Sequence, residues 1–247
     1  MNFFSLFKRK LIYNLKKKTL IDNDNLNLDS FDYLLHHYGS DKANIFKKNQ
    51  NKGHGYSFVY EKKLAKFKSR NINILELGSF SGASAAAFAK YFPGSNVFCF
   101  DVNISNFIYK SKQIHVYGID VTNEKKIKQI LKEILLRYDV NEFDIIIDDA
   151  SHNLSDILLG LKLFFKLVKK GGFYIIEDFK HPNYHQYNRN IDHILVDELL
   201  KNFEQRRVIT SSLLTEKDQL FLMNSIDKIE NFKGNLFESD ICFLSKK

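Results

Sequence analysis

The run Asp148-Asp149-Ala150-Ser151-His152 places two carboxylates and an imidazole side by side, and Glu177-Asp178 adds a second acidic pair. Each pair closes a short apolar run, Phe143 to Ile147 and Phe173 to Ile176, of the kind that forms buried strands. Glu177 lies 177 − 149 = 28 residues beyond Asp149. That distance is one helix plus its turns, so the two strand ends are expected side by side. Four carboxylates gathered there repel one another and resist burial without a cation. A hard divalent ion with oxygen ligands relieves this, and Mg²⁺ would also lower the pKa of a substrate hydroxyl. His152 is then the natural general base, because imidazole titrates near neutrality. The competing reading makes Asp149 and Ser151 helix caps and His152 a surface residue. Metal plus base accounts for more of the acids.

A second site signal lies upstream. Ile72 to Leu77 ends in the turn Glu76-Leu77-Gly78-Ser79-Phe80-Ser81-Gly82. Glycines in such a strand-to-helix turn let a ligand approach the backbone closely. The dinucleotide fingerprint would need Gly at position 80. Phe80 stands there instead, so the turn disfavours NAD or FAD and suits a nucleoside without phosphates. Asp101 follows Gly78 by 101 − 78 = 23 residues, where a carboxylate accepts hydrogen bonds from ribose hydroxyls. Asp120 is read equally well as a partner of an adenine amino group or as a cap before Thr122 and Glu124.

The elements that must hold these residues alternate. Strands are expected at 72–77, 96–100, 113–117, 143–147 and 173–176. Helices are expected at 31–38, 56–68, 81–91, 124–137 and 154–169, the last stopped by Gly171-Gly172. Residues 19 to 30 and 39 to 55 read as loops. Acidic or glycine residues close all five strands, which marks the ligand edge of an open parallel sheet. The last third adds a polar aromatic loop at 181–190, a helix at 191–203, a strand somewhere in 208–225 and a strand at 240–244. The expected organisation is a helical N-terminal cover over 1–70 and one α/β domain over 71–247.

Composition bounds the class. With 247 residues, 44% of them hydrophobic, the chain can bury its own core. Cys99 and Cys242 sit in apolar runs without a CxxC neighbour or a nearby His cluster, so free core thiols in a reducing, cytoplasmic setting are expected rather than a zinc site. A formal charge of +8 fits an anionic ligand but is equally a solvated lysine-rich surface. No apolar stretch is long enough for a transmembrane helix. Residues 1–18 mix apolar and basic residues in the wrong order for a signal peptide. They read as an amphipathic helix that covers the core, joins a partner subunit of a homo-oligomer or touches an anionic membrane surface, in that order.

Together these residues resemble a known family. Ile74-Leu-Glu-Leu-Gly-Ser-Phe-Ser-Gly-Ala-Ser84 is similar to the first motif of metal-dependent O-methyltransferases. Tyr38-Gly-Ser-Asp-Lys42, followed by His54, Tyr56 and Glu61, resembles the N-terminal signature of the macrocin and mycinamicin type of sugar O-methyltransferase. Asp148 to His152 and Ile176 to Asp178 resemble that family's metal and base motifs, and the resemblance spans roughly residues 31 to 180. It implies a Rossmann-like class I methyltransferase fold, with a mostly parallel seven-stranded sheet between helices. It implies Mg²⁺ on Asp149, Glu177 and Asp178, with His152 and Asp149 catalytic. S-adenosylmethionine (SAM) would then be held by Glu76, Gly78, Ser79, Gly82, Asp101, Asp120 and Asp148, and the segment carrying Asp41, Lys42, His54 and Tyr56 would close over its methionine end.

The family acts on sugar hydroxyls. Ala150 in place of Gly and the Asn-rich stretch Asn44 to Asn51 depart from its pattern, and the loop 181–190 has no counterpart in it. The acceptor expected here is a nucleotide-activated sugar, such as a heptose, for capsule or other surface polysaccharide. Lys180, His181, His185 and Arg189 are candidate phosphate partners, as well read as a solvated basic loop, and Tyr184 and Tyr187 could stack on the sugar or base. An RNA methyltransferase and a non-catalytic SAM-binding subunit are the alternatives. The first lacks a recognisable RNA-binding module, so nucleic acid is not the expected partner. The second should have lost the acid-histidine cluster.

Overall fold

The protein is described by a computed structural model covering residues 3–26 and 30–247. The N-terminal helix and the 19–30 loop expected from the sequence therefore fall partly outside the described residues. Seven strands form the main sheet: β1 (Asn73–Leu77), β2 (Asn96–Asp101), β3 (Ile114–Gly118), β4 (Phe143–Asp148), β5 (Val168–Ile176), β6 (Ile226–Lys233) and β7 (Asp240–Lys246). Their spatial order is β6-β7-β5-β4-β1-β2-β3. Strands β1 to β5 run parallel, while β7 pairs antiparallel with both β5 and β6. The chain leaves β1 toward β2 and β3, then returns to place β4 on the other side of β1. That reversal opens a crevice at the carboxyl ends of β1 and β4.

Apolar residues on the two faces of each strand feed two cores. On one face α2 (Phe31–Tyr38), α3 (Ser57–Leu64) and α4 (Ala83–Tyr91) pack over Ile74, Val97, Ile145 and Phe243. The N-terminal helices thus share a core with α4. On the other face α5 (Glu124–Tyr138), α6 (Leu154–Phe164), α8 (Val196–Glu204) and α9 (Glu216–Ser225) pack over Leu75, Phe98, Ile146 and Leu244. Cys99 and Cys242 are free and buried.

Helix α1 (Phe3–Leu15) lies against the turn after β2. Arg9 donates to the Val102 carbonyl at 2.8 Å, Lys16 to that of Ser105 at 3.0 Å, and Tyr13 meets Phe107 edge-on. Phe7, Leu11 and Leu15 remain exposed. Among the described residues no helix is long and apolar enough to cross a membrane.

Three expected helices and strands differ, and two expected loops carry short elements: 39–55 a hairpin of Ile45–Phe46 with Asn51–Lys52, and 181–190 a single helical turn, His181–Tyr184. The helix placed at 154–169 ends at Phe164, and β5 begins at Val168, ahead of the two glycines. Gly171, with φ +75°, lies instead where the β4–β5 register shifts between Phe143↔Val168 and Ile145↔Phe173, so it serves a bulge rather than a helix end. The strand sought within 208–225 is helix α9, started by a reciprocal capping box between Thr215 and Asp218, and the strand follows it as β6. The helix placed at 191–203 begins at Val196.

Candidate active site

The turn after β1 creates the first wall of the crevice. Gly78 has φ +87°, and a Cβ there would stand 2.0 Å from the Asp149 carbonyl oxygen. Glycine at this position is what lets the ends of β1 and β4 close on each other. Phe80, His152 and Asp178 also have positive φ, at +42°, +55° and +50°. These three follow the neighbouring strands β1, β4 and β5. Such non-glycine strain costs of the order of 1–3 kcal/mol each and persists where the surroundings hold it, most often at sites.

A cleft of about 570 Å³ opens here, lined by Gly39 to Lys42, Gly78 to Ser81, Asp101, Val102, Ile119 to Thr122 and Asp149 to His152. Asp101 accepts hydrogen bonds from the Phe80 amide at 2.7 Å and from the Asn103 amide. It is therefore fixed at the cleft wall with lone pairs left to accept from a ligand. Asp120 accepts from the Thr122 amide and hydroxyl and thus caps the turn that leads into α5, while the N-cap of the helix itself is Asn123.

Of the residues expected to bind a cofactor, Lys42, Gly78, Ser79, Asp101 and Asp120 line this cleft, and Glu76, Gly82, Asp148 and Tyr56 do not. Glu76 is wholly buried, bonded through Oε1 to the Ser84 hydroxyl, with Oε2 lacking a hydrogen bond. Burial pushes its carboxyl up. Gly82 makes room for the Phe107 ring. Asp148 accepts from the Tyr174 hydroxyl at 2.8 Å, and burial raises it to about 6. Tyr56 donates to Asp178.

The acidic ends of β4 and β5 do meet. Oxygens of Asp149 and Asp178 and a ring nitrogen of His152 all lie within 4.8 Å of one another. His152 Nε2 stands 3.6 Å from Asp149 Oδ1. Lys42 reaches in from the N-terminal segment, buried, and donates to Asp149 Oδ2 and, at 2.6 Å, to Glu177 Oε2. The other Glu177 oxygen accepts from the Tyr60 hydroxyl. Both oxygens of Glu177 are thus already engaged, and the donors that converge are Asp149, His152 and Asp178. Tyr60, Ser84 and Tyr174 were not singled out from the sequence, because a tyrosine or serine in an apolar helix or strand carries no local mark of its distant carboxylate partner. Ser151, expected to cap a helix in the competing reading, instead donates to Asp156.

Burial and pairing together set the charge of this cluster. Burial raises Glu177 to about 8, opposed by Lys42 and reinforced by Asp149. Burial also raises Asp149, against the pull of Lys42 and His152. Asp178 is the exception. Burial pushes it up, but the hydrogen bonds and charge of His54 and the Tyr56 hydroxyl outweigh that and hold it low. Three carboxylates thus gather around one buried ammonium and two imidazoles, His54 beside Asp178 and His152 beside Asp149. Clustered carboxylate oxygens at the mouth of a cleft are what a hard divalent cation takes, so the residues present fit one.

A pH dependence follows. The His54 imidazole rises from 6.5 to about 8, its burial outweighed by Asp178, and Glu177 rises from 4.5 to about 8. Both groups hold their protons more tightly when folded. Their contributions are fully present below the unfolded values and are lost as pH rises through about 8. The melting temperature is therefore expected to fall between about pH 6.5 and pH 9, and to fall less in His54→Gln. A flat or rising profile across that window would contradict this charge assignment.

No protein-family model matches the chain. Among curated proteins it is similar to the 8-demethyl-8-alpha-L-rhamnosyl tetracenomycin-C 2′-O-methyltransferase of Streptomyces olivaceus. The two are 24% identical over 150 residues, which is 58% of this chain and 36% of that one. It is likewise similar to the mycinamicin VI 2″-O-methyltransferase of Micromonospora griseorubida, at 24% over 132 residues, 51% of this chain and 32% of the relative. The matched segment thus spans about a third of these relatives' length. Among solved structures, the MycE methyltransferase of the mycinamycin pathway, in complex with Mg and SAH, superposes with a TM-score of 0.64 at 18% identity. That match covers 88% of this chain and 54% of that one. The fold is the class I methyltransferase fold that the sequence motifs imply.

Proposed function

We propose that this chain is a SAM-dependent O-methyltransferase that acts on a sugar hydroxyl with the help of a divalent cation, Mg²⁺ in the first instance. The observation that carries this reading is the convergence of Asp149, His152 and Asp178 beside a cleft that Gly78 and Asp101 shape for a nucleoside. The relatives' names, which specify hydroxyls on the sugars of glycosylated antibiotics, support the sugar.

When bound, SAM supplies the methyl group on a sulfonium, and the cation lowers the pKa of the acceptor hydroxyl. Asp149 and Asp178 would hold that cation, with Glu177 next to them kept in place by Lys42 and Tyr60. His152 takes the hydroxyl proton at Nε2, and Asp149 stabilises the imidazolium that results. Asp101 accepts from the ribose hydroxyls, and the turn from Gly78 to Phe80 packs along the nucleoside. Much of the rate would come from holding two substrates along one axis.

The carrier of the sugar is the finer part of the reading. A nucleotide-linked sugar made in a reducing cytoplasm agrees with the two free buried thiols. The loop after β5 adds little to it. Arg189 donates to the carbonyls of Pro182 and Asn183, and Lys180 lies 3.9 Å from Asp240. A panel of nucleotide-linked and free sugars tests the carrier directly.

Calorimetric titration with S-adenosylhomocysteine (SAH), in EDTA and then in Mg²⁺, tests the class. Binding is expected in both. Asp101→Ala is expected to weaken it at least about tenfold, because one well-placed charge-assisted hydrogen bond is worth about 1.5–3 kcal/mol. Failure of the unaltered protein to bind SAH in either condition would overturn the reading.

A further inference from the structure

We propose a second cation site, separate from the acidic cluster, in which His181, His185 and Glu238 bind a borderline transition metal of the Zn²⁺ class. It does not depend on the methyl-transfer reading.

His181 and His185 stand one helical turn apart on α7 (His181–Tyr184) and its C-cap, with their rings 4.2 Å apart. Glu238 comes from the turn between β6 and β7. Ligand atoms of all three lie within 4.8 Å of one another. The Nε2 of His181 is 3.5 Å from one Glu238 oxygen, and that of His185 is 3.0 Å from the other. Ligands on a tetrahedral zinc with bonds of about 2.0–2.2 Å stand roughly 3.4 Å apart, so these spacings bracket the expected one.

Two features show that these atoms aim at a common point rather than at each other. The Nε2 of His185 is buried and makes no hydrogen bond, although Glu238 is close. The tautomer of His181 is fixed from behind. Asn188 is buried and its amide nitrogen donates to the Ser151 carbonyl and Asn153 Oδ1, so its oxygen faces His181 Nδ1 at 3.1 Å. That contact requires the proton on Nδ1. The Nε2 of neutral His181 therefore presents a lone pair to a carboxylate oxygen, a repulsive pairing unless a cation lies between. A carbonyl-type acceptor behind a ligating histidine is the usual support of a metal site. Protons could serve instead of a metal, but His152, His181 and His185 lie ring against ring, at 5.5 and 4.2 Å, and more than one charge there is costly.

The donor set selects the ion. Two imidazoles and one carboxylate suit Zn²⁺ and its neighbours, whereas Mg²⁺ prefers oxygen. Three protein ligands leave one position for water or a substrate oxygen. The ion would staple the loop after β5 to the β6–β7 turn and fix the surface next to His152.

The test uses the full chain stripped with chelator, titrated with Zn²⁺ against a chromophoric chelator, with excess Mg²⁺ present. About one equivalent of Zn²⁺ is expected to bind. His185→Ala and Glu238→Gln should each weaken it at least about tenfold, the effect typical of losing even an indirect support. Asp149→Asn should leave it unchanged. Zn²⁺ should raise the melting temperature of the unaltered chain but not of Glu238→Gln, and circular dichroism checks the fold of each variant. Zn²⁺ affinity equal in His185→Ala and the unaltered chain would overturn the proposal. So would an affinity that falls in Asp149→Asn alone, which would place the ion in the acidic cluster.

Discussion

His152→Ala is expected to lower kcat by about 10²- to 10⁴-fold, the usual worth of a positioned general base, while SAH affinity stays within about twofold. The proton acceptor must reach the acceptor hydroxyl but need not touch the nucleoside, and His152 sits at the acidic end of the cleft, 3.6 Å from Asp149. The backbone at His152 lies in the left-handed region at φ +55°, so alanine there adds strain of its own. Asparagine tolerates that region, and His152→Asn should therefore reproduce the loss of turnover without loss of stability. His152→Gly frees both the backbone and the space of the ring, and added imidazole should restore part of its activity. A purely structural histidine would not respond to imidazole. Full turnover by His152→Ala and His152→Asn would remove the base from this residue. Loss of SAH binding in parallel with turnover would make it a cofactor contact instead.

The five strand ends were legible because each couples two local signals, a mostly apolar run and an acid or glycine just past it. The parallel sheet and the crevice follow from that repetition. The misread elements show where local signals compete. Gly171-Gly172 looks like a helix stop, but the same residues serve a bulge where β5 pairs out of step with β4, and only the partner strand reveals that. Thr215 and Asp218 form a capping box inside a stretch whose apolar content suggested a strand.

The site divides in the same way. Gly78, Asp101, Asp149, His152 and Asp178 announce themselves by position in a motif. The binding role assigned to Glu76 and Asp148 rested on the same positional logic, and both side chains are buried behind the wall of the cleft, Glu76 bonded to the cleft-lining Ser84 and Asp148 to Tyr174. Lys42 was visible as a motif residue, but its partners lie 107 and 135 residues downstream. No periodicity encodes such a pairing. It exists because the N-terminal segment crosses the crevice.

That crossing sets the second large effect. Lys42→Met keeps the stem and removes the ammonium. Lys42 is 3% exposed, and its charge is shared between Asp149 and Glu177. Removing one partner of a buried ion pair typically costs about 3–5 kcal/mol, because the other charge is left uncompensated. For a chain of this size that is a fall in melting temperature of roughly 6–20 °C. The loss should depend on pH with a definite sign. Without the ammonium, the folded-state pKa of Glu177 climbs further above its unfolded value. The carboxyls can then be buried neutral in acid, and stability is lost as pH rises. The gap between Lys42→Met and the unaltered protein should therefore widen as pH rises past about 8, where the unaltered protein releases the Glu177 proton and the variant still holds it. A divalent cation that binds the folded cluster stabilises it by mass action. Mg²⁺ should then raise the melting temperature of Lys42→Met more than that of the unaltered protein, in which the ammonium already neutralises part of the cluster. If Mg²⁺ moves both proteins equally and acid does not narrow the gap, Lys42 is a packing residue and the carboxylates are balanced by something other than a cation. If Mg²⁺ selectively rescues the variant, the lysine and the metal are two occupants of one electrostatic need, and the N-terminal segment is the part of the chain that tunes how tightly the metal is held.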